Sequence, residues 1–388
     1  MLYTKTIFHT QRGKKCDIMA KNVVILLTAV LLASSLMVFI PMTSEDVSAD
    51  SSFTITDVDN KTVSFDRPAD YVISLGLGTT LTLIELGMKD KIMGVDTYSS
   101  PDYASNAIYK DQLGGLVDFG NYFTLDGRNA MLTKMVQEIS NNTAKYEGKS
   151  IMFLANNYSY IISDTGLLKN IETKGLDYKV VKLAKSGMTY NDAINFVENV
   201  AKVVGASGAK SVADMRYVEE EVKKVVDAED LSGATAIHIS SAATPTVYNT
   251  SILLSMVDIA GGTNAGAKGD AATHTTDYPG IIQMIEASPN AVIFIDSGNA
   301  LSAAEYKEKL GNISNLIVKL PPSFNNTCPS ITDGLWMVAS ALYPDNFSGD
   351  VPSAPDSGSD DNLFIYLAAG LAVVVIVLAA VFLYLRRS

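Results

Sequence analysis

YVISLGLGTTLTLIELGMKDKIMGV, residues Tyr71–Val95, decides the fold. Tyr71–Leu75 is a short apolar run of strand length. Gly76-Leu77-Gly78 is a turn, and a helical pattern begins by Thr80–Leu86. Lys91–Val95 is a second short apolar run. Strand, glycine turn, helix, strand is the unit from which parallel α/β sheets are built.

The unit recurs in both directions from there. Ile151–Leu154 and Tyr178–Leu183 read as two further strands, and Thr235–Ser240, Ala291–Ile295 and Leu316–Leu320 repeat the theme later. Between the two groups, Ala193, Phe196, Val197, Val200, Ala201 and Val204 recur at helical spacing over Tyr190–Val204. Gly205 and Gly208 break that helix, and Ala209–Ala228 runs as another, about 30 Å long. The expected fold is α/β: two Rossmann-like lobes joined by a single long helix, with a cleft between them for a ligand. The boundaries are 53–205 for the first lobe, 206–228 for the bridging helix and 229–347 for the second lobe.

The ends differ in character. Val23–Ile40 is apolar, follows Lys14, Lys15 and Lys21, and is followed by the small-residue site Val47-Ser48-Ala49. Residues 1–49 therefore read as a secretory signal or an uncleaved signal anchor. Ser348–Asp361 is Ser, Pro, Gly and Asp, the composition of a disordered linker. Phe364–Leu385 is unbroken apolar sequence closed by Arg386 and Arg387. Its length suffices to cross a bilayer, so 362–388 reads as a transmembrane anchor with the arginines cytoplasmic. The globular part is then extracytoplasmic.

Composition narrows the chemistry. The formal charge is −12, and only Arg67, Arg128 and Arg216 lie between the apolar ends. A nucleic-acid partner needs a basic face and is excluded. Two cysteines and three histidines leave no disulfide framework and no His/Cys metal cluster. Gly76-Leu77-Gly78 with Asp96 downstream is most of a dinucleotide fingerprint, but Leu81 stands where the third glycine belongs. No G-x-S-x-G or H-E-x-x-H motif occurs, so the chain reads as a non-enzyme. Seven N-x-S/T sequons occur, at Asn60, Asn141, Asn157, Asn249, Asn312, Asn325 and Asn346.

Asp57–Tyr98 resembles the opening of the ABC-transporter substrate-binding proteins of the Fe³⁺-siderophore and cobalamin type. A proline (Pro68), a helix ending in Leu86-Gly87, and Ile92-Met93-Gly94-Val95 stand in that family's order. Leu113-Gly114-Gly115, Ala260-Gly261-Gly262 with Asn264, Ser288–Ile293 and Pro329–Phe347 continue the likeness. The resemblance implies the class III periplasmic-binding-protein fold, here membrane-anchored, opening on a small hairpin at Val58–Phe65. It implies a monomer with no intrinsic cofactor that captures a metal chelate (ferric siderophore, cobalamin or another corrinoid, or haem). The chelate passes to an ABC permease and its ATPase. Asp126 matches the family's permease-docking acid on the first lobe; on the second, Gly280–Gln283 holds no acid, and Asp277 or Glu286 would have to substitute. A surface or adhesion protein that kept the fold and lost transport is the alternative.

Ligands of open α/β sheets sit at the carboxyl ends of the strands. That rule nominates Gly76, Gly78, Thr79, Tyr98, Tyr122, Phe123 and Tyr158 on the first lobe. On the second it nominates Thr246, Tyr248, His274, Tyr278, Asn299 and Asn325. The recurring tyrosines suit a large ring-shaped or chelated guest, or pack at loop bases. His274 is either an axial ligand to the guest's metal or a solvated side chain. His238, inside a strand, reads as a hydrogen-bonded core residue. The scarcity of arginine favours a neutral or zwitterionic guest over an anionic catecholate.

Overall fold

The computed structural model describes residues 52–58, 60–156, 179–185, 187–240, 244–297 and 299–355. The chain opens with an antiparallel hairpin, β1 (Phe53–Thr56) and β2 (Thr62–Phe65). Then follow β3 (Tyr71–Leu75), α1 (Leu77–Glu85), β4 (Ile92–Asp96), β5 (Asp118–Gly120), α2 (Leu125–Asn141), β6 (Ile151–Asn156) and β7 (Lys179–Ala184). Strands β3–β7 form a five-stranded parallel sheet in the order β5-β4-β3-β6-β7.

Two long helices come next, α3 (Tyr190–Val204) and α4 (Ala209–Ala228), with the bounds expected from the periodicity. A capping box of Thr189 and Asp192 starts α3. Gly205, at φ 66°, ends it in the left-handed conformation that glycine adopts without strain.

The rest of the chain is β8 (Thr235–Ile239), β9 (Thr246–Tyr248), α5 (Ile252–Ile259), β10 (Thr263–Asn264), β11 (Thr273–Thr275), α6 (Tyr278–Ala287), β12 (Val292–Ile295), α7 (Ala303–Lys309), β13 (Ile317–Lys319) and α8 (Ile331–Leu342). A second sheet runs β11-β9-β8-β12-β13 with β10 beside β8. It is parallel at β10-β8-β12-β13 and antiparallel at β8-β9-β11.

Alternation along the strands explains how the sheets pack. In a strand, neighbouring side chains point to opposite faces. On β3, Val72 enters one apolar cluster, and Ile73 and Leu75 another. On β12, Val292 and Phe294 face one way, and Ile293 and Ile295 the other. Both faces are apolar because both are covered, which is why these strands read as unbroken apolar runs. The cluster containing Val72 also contains Val292 and Phe294, with Phe196 of α3, Val218 of α4, Met256 of α5 and Leu335 of α8. One continuous core thus joins the two sheets through these helices, and α4 packs against α3, α5 and α8.

Residues 348–355 differ from the expected disordered linker. Val351 packs against the main core, Trp336 Nε1 donates to Gly349 O at 3.3 Å, and Ala354 N donates to Asp214 Oδ1 at 3.0 Å. One apolar side chain and two hydrogen bonds dock a segment that composition alone reads as solvated. Among the described residues no helix is long and apolar enough to cross a membrane. The segments 23–40 and 364–385, read above as signal and anchor, lie outside the described residues.

Candidate functional site

The carboxyl ends of the first sheet carry an aromatic cluster. Tyr98 follows β4, and Tyr122 and Phe123 follow β5. The Tyr98 ring meets Phe123 edge-on at 5.0 Å between centroids and Tyr122 at 6.2 Å. Tyr103, which the sequence reading passed over, meets Tyr98 edge-on at 5.3 Å. Edge-to-face pairing of this kind holds rings in fixed orientation. Arg128, one turn into α2, props the loop from behind: its Nη1 donates to Tyr122 O at 3.1 Å and Phe123 O at 3.3 Å. Arg128 is therefore engaged by backbone carbonyls.

Beneath this cluster, Asp96 ends β4 fully buried. Its Oδ1 accepts from Ser99 N at 2.9 Å, and burial pushes its pKa up to about 7, against the pull of hydrogen bonds from Ser99 and the Gly76 backbone. A buried carboxyl that caps the next turn has no face for a ribose, so the dinucleotide reading of this loop falls. Gly76, at φ 120°, lets the chain leave β3 and start α1.

The same turn touches the second half of the chain. A Cβ on Gly78 would stand 3.0 Å from Thr327 Oγ1 and 3.1 Å from Thr327 N. Thr82 Oγ1 donates to Thr327 O at 2.9 Å, Tyr109 OH accepts from Ser323 N at 2.8 Å, and Glu85 accepts from Ser330 N and Oγ. Segment 323–330 thus closes onto α1. Gly78 therefore belongs to this seam, and Thr79, 2 % exposed, is buried beside it rather than set in an open wall.

On the second sheet the structure assembles a polar network at the ends of β8, β9 and β12. His238 is wholly buried, its ring stacked on Tyr248 at 4.3 Å. His238 Nε2 lies 2.7 Å from Asp296 Oδ1, and Nδ1 lies 2.9 Å from Ser251 Oγ. Tyr248 OH donates to Asp296 Oδ2 at 3.2 Å. A carboxylate accepts, so Nε2 donates to Asp296 Oδ1. Asp296 is partly exposed beyond its strand. Sequence reading named Tyr248 and gave His238 its hydrogen-bonded role but missed Asp296. The available signal was its place, directly after the apolar run Ala291–Ile295.

The remaining nominated residues separate. Thr246 lies on β9, where its carbonyl accepts from Ser240 N at 2.9 Å. His274 sits on edge strand β11, opposite Val247, with Nδ1 3.1 Å from Asn249 Oδ1; burial and Lys268 lower its pKa. Tyr278 opens α6 and packs toward Tyr306 at 5.8 Å, in the cluster beneath the helices. Asn299 is 2 % exposed; its Oδ1 accepts from Leu301 N at 3.0 Å, and its Nδ2 has no hydrogen-bond partner among the described residues. Asn325 ends the short turn Pro322–Asn325. Asp126 is exposed in the first turn of α2, beside the exposed Leu125. Tyr158 lies outside the described residues.

Two concavities lie elsewhere. One, of about 190 Å³, is lined by Asp57, Asn60, Lys185 and Asp192 among others; the second, of about 390 Å³, by Thr189, Ser251, Ser255 and Asp258 among others. Neither includes a nominated ligand residue. No group of three or more His, Cys, Asp or Glu able to hold a metal occurs among the described residues.

No protein-family model and no curated protein matches the chain. Solved structures do. A periplasmic binding protein from Veillonella parvula matches at TM-score 0.54 and 14% identity, over 76% of this chain and 98% of that one. Helicobacter pylori CeuE in complex with nickel and histidine matches at TM-score 0.57 and 14% identity, over 76% and 90%. A periplasmic heme-binding protein from Pseudomonas aeruginosa matches at TM-score 0.53 and 13% identity, over 75% and 100%. The chain therefore has the class III periplasmic-binding-protein fold, and these structural neighbours are binding proteins rather than enzymes.

Proposed function

We propose that this chain is the extracytoplasmic solute receptor of an ABC importer, capturing a metal chelate between two lobes, 53–205 and 229–347, bridged by helix α4. The observation that carries the reading is the pairing of two features at the strand carboxyl ends. The first sheet ends in the Tyr98–Tyr103–Tyr122–Phe123 cluster. The second ends in the Tyr248–Asp296–His238 network. Tyr122 is 2 % exposed and anchors the cluster from the core; Tyr98, Tyr103 and Phe123 offer the flat apolar area, and Asp296 supplies an acidic anchor. Arg128 is held by Tyr122 O and Phe123 O through Nη1, and as the one arginine of this loop it offers an anionic catecholate no cluster of cations. A neutral or cationic chelate, such as a corrinoid or a ferric hydroxamate, fits this lining. Exposed Leu125 and Asp126 form the permease contact of the first lobe, and the apolar runs at 23–40 and 364–385 export and tether the chain.

A thermal-shift screen with cobinamide, cobalamin, haem, a ferric hydroxamate and a ferric catecholate tests this. A ligand at a hundred times its dissociation constant adds about 2.7 kcal/mol. The reading predicts stabilisation by a neutral or cationic chelate. Stabilisation by the catecholate alone, or by none of the five, refutes it.

A further inference from the structure

The seven N-x-S/T sequons are left unused by a solute receptor, and three of them share one edge of the fold. Asn141 is the last residue of α2, and it is exposed. The end of α2 lies against the start of the first sheet: Glu138 Oε1 accepts from Tyr146 OH at 2.8 Å, and the Tyr146 ring meets Tyr71, first residue of β3, at 4.9 Å. Asn312 is exposed in the turn between α7 and β13. Three residues on, Asn315 Nδ2 donates to Pro289 O and Ala291 O, at the entry to β12. Asn346 is exposed after α8, and its backbone N–H donates to Tyr343 O. Tyr343 OH in turn accepts from Ala234 N, just before β8. All three asparagines therefore stand at the amino ends of the parallel strands, the edge opposite the proposed ligand mouth. Asn60 is a fourth exposed acceptor, at φ 61° in the β1–β2 turn; this turn lies on the other edge, beside the carboxyl end of β7, where Val58 N donates to Lys182 O and Asn60 shares a concavity with Leu183 and Lys185.

Asn249 is the internal contrast. Its side-chain Nδ2 donates to Lys268 O at 2.9 Å and Ala271 O at 2.5 Å, while its Oδ1 accepts from Lys268 N at 2.9 Å. A sugar on Nδ2 replaces one of the amide hydrogens that this loop requires and puts a bulky group where the carbonyls converge.

We propose that Asn60, Asn141, Asn312 and Asn346 are N-glycosylation sites, that Asn249 is not, and that the glycans on Asn141, Asn312 and Asn346 cover the edge away from the ligand mouth. On α2, Asn141 stands some 22 Å from Asp126 at the helical rise, so a glycan there clears the proposed permease contact. The inference rests on the export half of the proposed function and on none of its ligand chemistry.

The test is glycopeptide mass spectrometry on the full chain purified from its own cells, run beside surface biotinylation of the same intact cells. Single Asn→Gln variants at the four sites follow. The expected result is surface labelling, glycan mass on all four peptides, an unmodified Asn249 peptide, and one lost mobility step per variant. Surface labelling with four bare peptides overturns the inference and leaves the receptor reading standing. A glycan on Asn249 also overturns it. Absence of surface labelling overturns it together with the export reading.

Discussion

Asp296→Ala should destabilise the protein through a residue it never removes. His238 is wholly buried and gives its Nε2 proton to Asp296 Oδ1 at 2.7 Å. Truncating the carboxylate leaves that N–H inside the protein with no acceptor, and an orphaned buried donor costs about 1–3 kcal/mol. Tyr248 OH, which also donates to the carboxylate, is on a half-buried ring within reach of solvent, so it adds less than the buried imidazole. Asp296 is itself partly exposed, and water reaching the vacated space places the expected loss in the lower half of that range. Asp296→Asn keeps a carbonyl acceptor and should cost less than Asp296→Ala. Tyr248→Phe keeps the stack on His238 and loses one hydrogen bond, about 0.5–1.5 kcal/mol. Urea unfolding followed by circular dichroism reads all three, with unchanged m-values expected. The reasoning is refuted if Asp296→Ala unfolds within about 0.5 kcal/mol of the parent, the range of ordinary surface substitutions, or if Asp296→Asn proves the costlier change.

Further outcomes follow from the packing. Gly94→Ala drives a Cβ into the buried Phe119 ring of the neighbouring strand, a side-chain neighbour with no room to retreat. Overpacking of this sort costs about 1–3 kcal/mol; Phe119→Leu in the same chain should recover part of it, and a double-mutant cycle showing strict additivity would contradict the contact. Thr82→Val keeps the shape and removes a single hydroxyl proton shared between Gly78 O at 2.8 Å and Thr327 O at 2.9 Å, so it should cost about 1 kcal/mol and speed hydrogen exchange in 323–330. Asp96 holds its proton up to about pH 7 in the fold, whereas an unfolded carboxyl releases it near pH 4. The folded state then binds the extra proton across that window, so this group's contribution falls as pH rises from about 4 to about 7 and is level above it. Asp96→Asn should flatten that slope and raise neutral-pH stability; a variant with the parent's pH profile would remove the assignment.

The order of elements was legible because both faces of each sheet are covered. Unbroken apolar runs such as Tyr71–Leu75 and Ala291–Ile295 have few other readings when helices of matching length lie between them. Helices α3 and α4 were legible to the residue, since glycines punctuate them. The site was legible only in part. Tyr98, Tyr122 and Phe123 were found by their position after strands, and the structure brings them together. His274 and Tyr278 obey the same positional rule yet turn toward Asn249 and Tyr306. Whether a loop side chain faces the mouth or the core depends on a few backbone angles that composition does not report. Asp296 was missed because one acid after a strand is common, and only the convergence of His238 and Tyr248 distinguishes it. The docking of 348–355 was missed for a related reason. Val351 is a single apolar residue, and the hydrogen bonds from Trp336 and to Asp214 cross long stretches of sequence.

Isothermal titration of the full chain with cobinamide and with a ferric hydroxamate, repeated on Tyr98→Ala and Asp296→Asn, addresses capture at the strand carboxyl ends most directly. The account predicts one-to-one binding of at least one chelate. It predicts that each variant weakens binding at least tenfold, about 1.4 kcal/mol. Binding that neither variant alters would contradict it by placing the guest elsewhere on the protein.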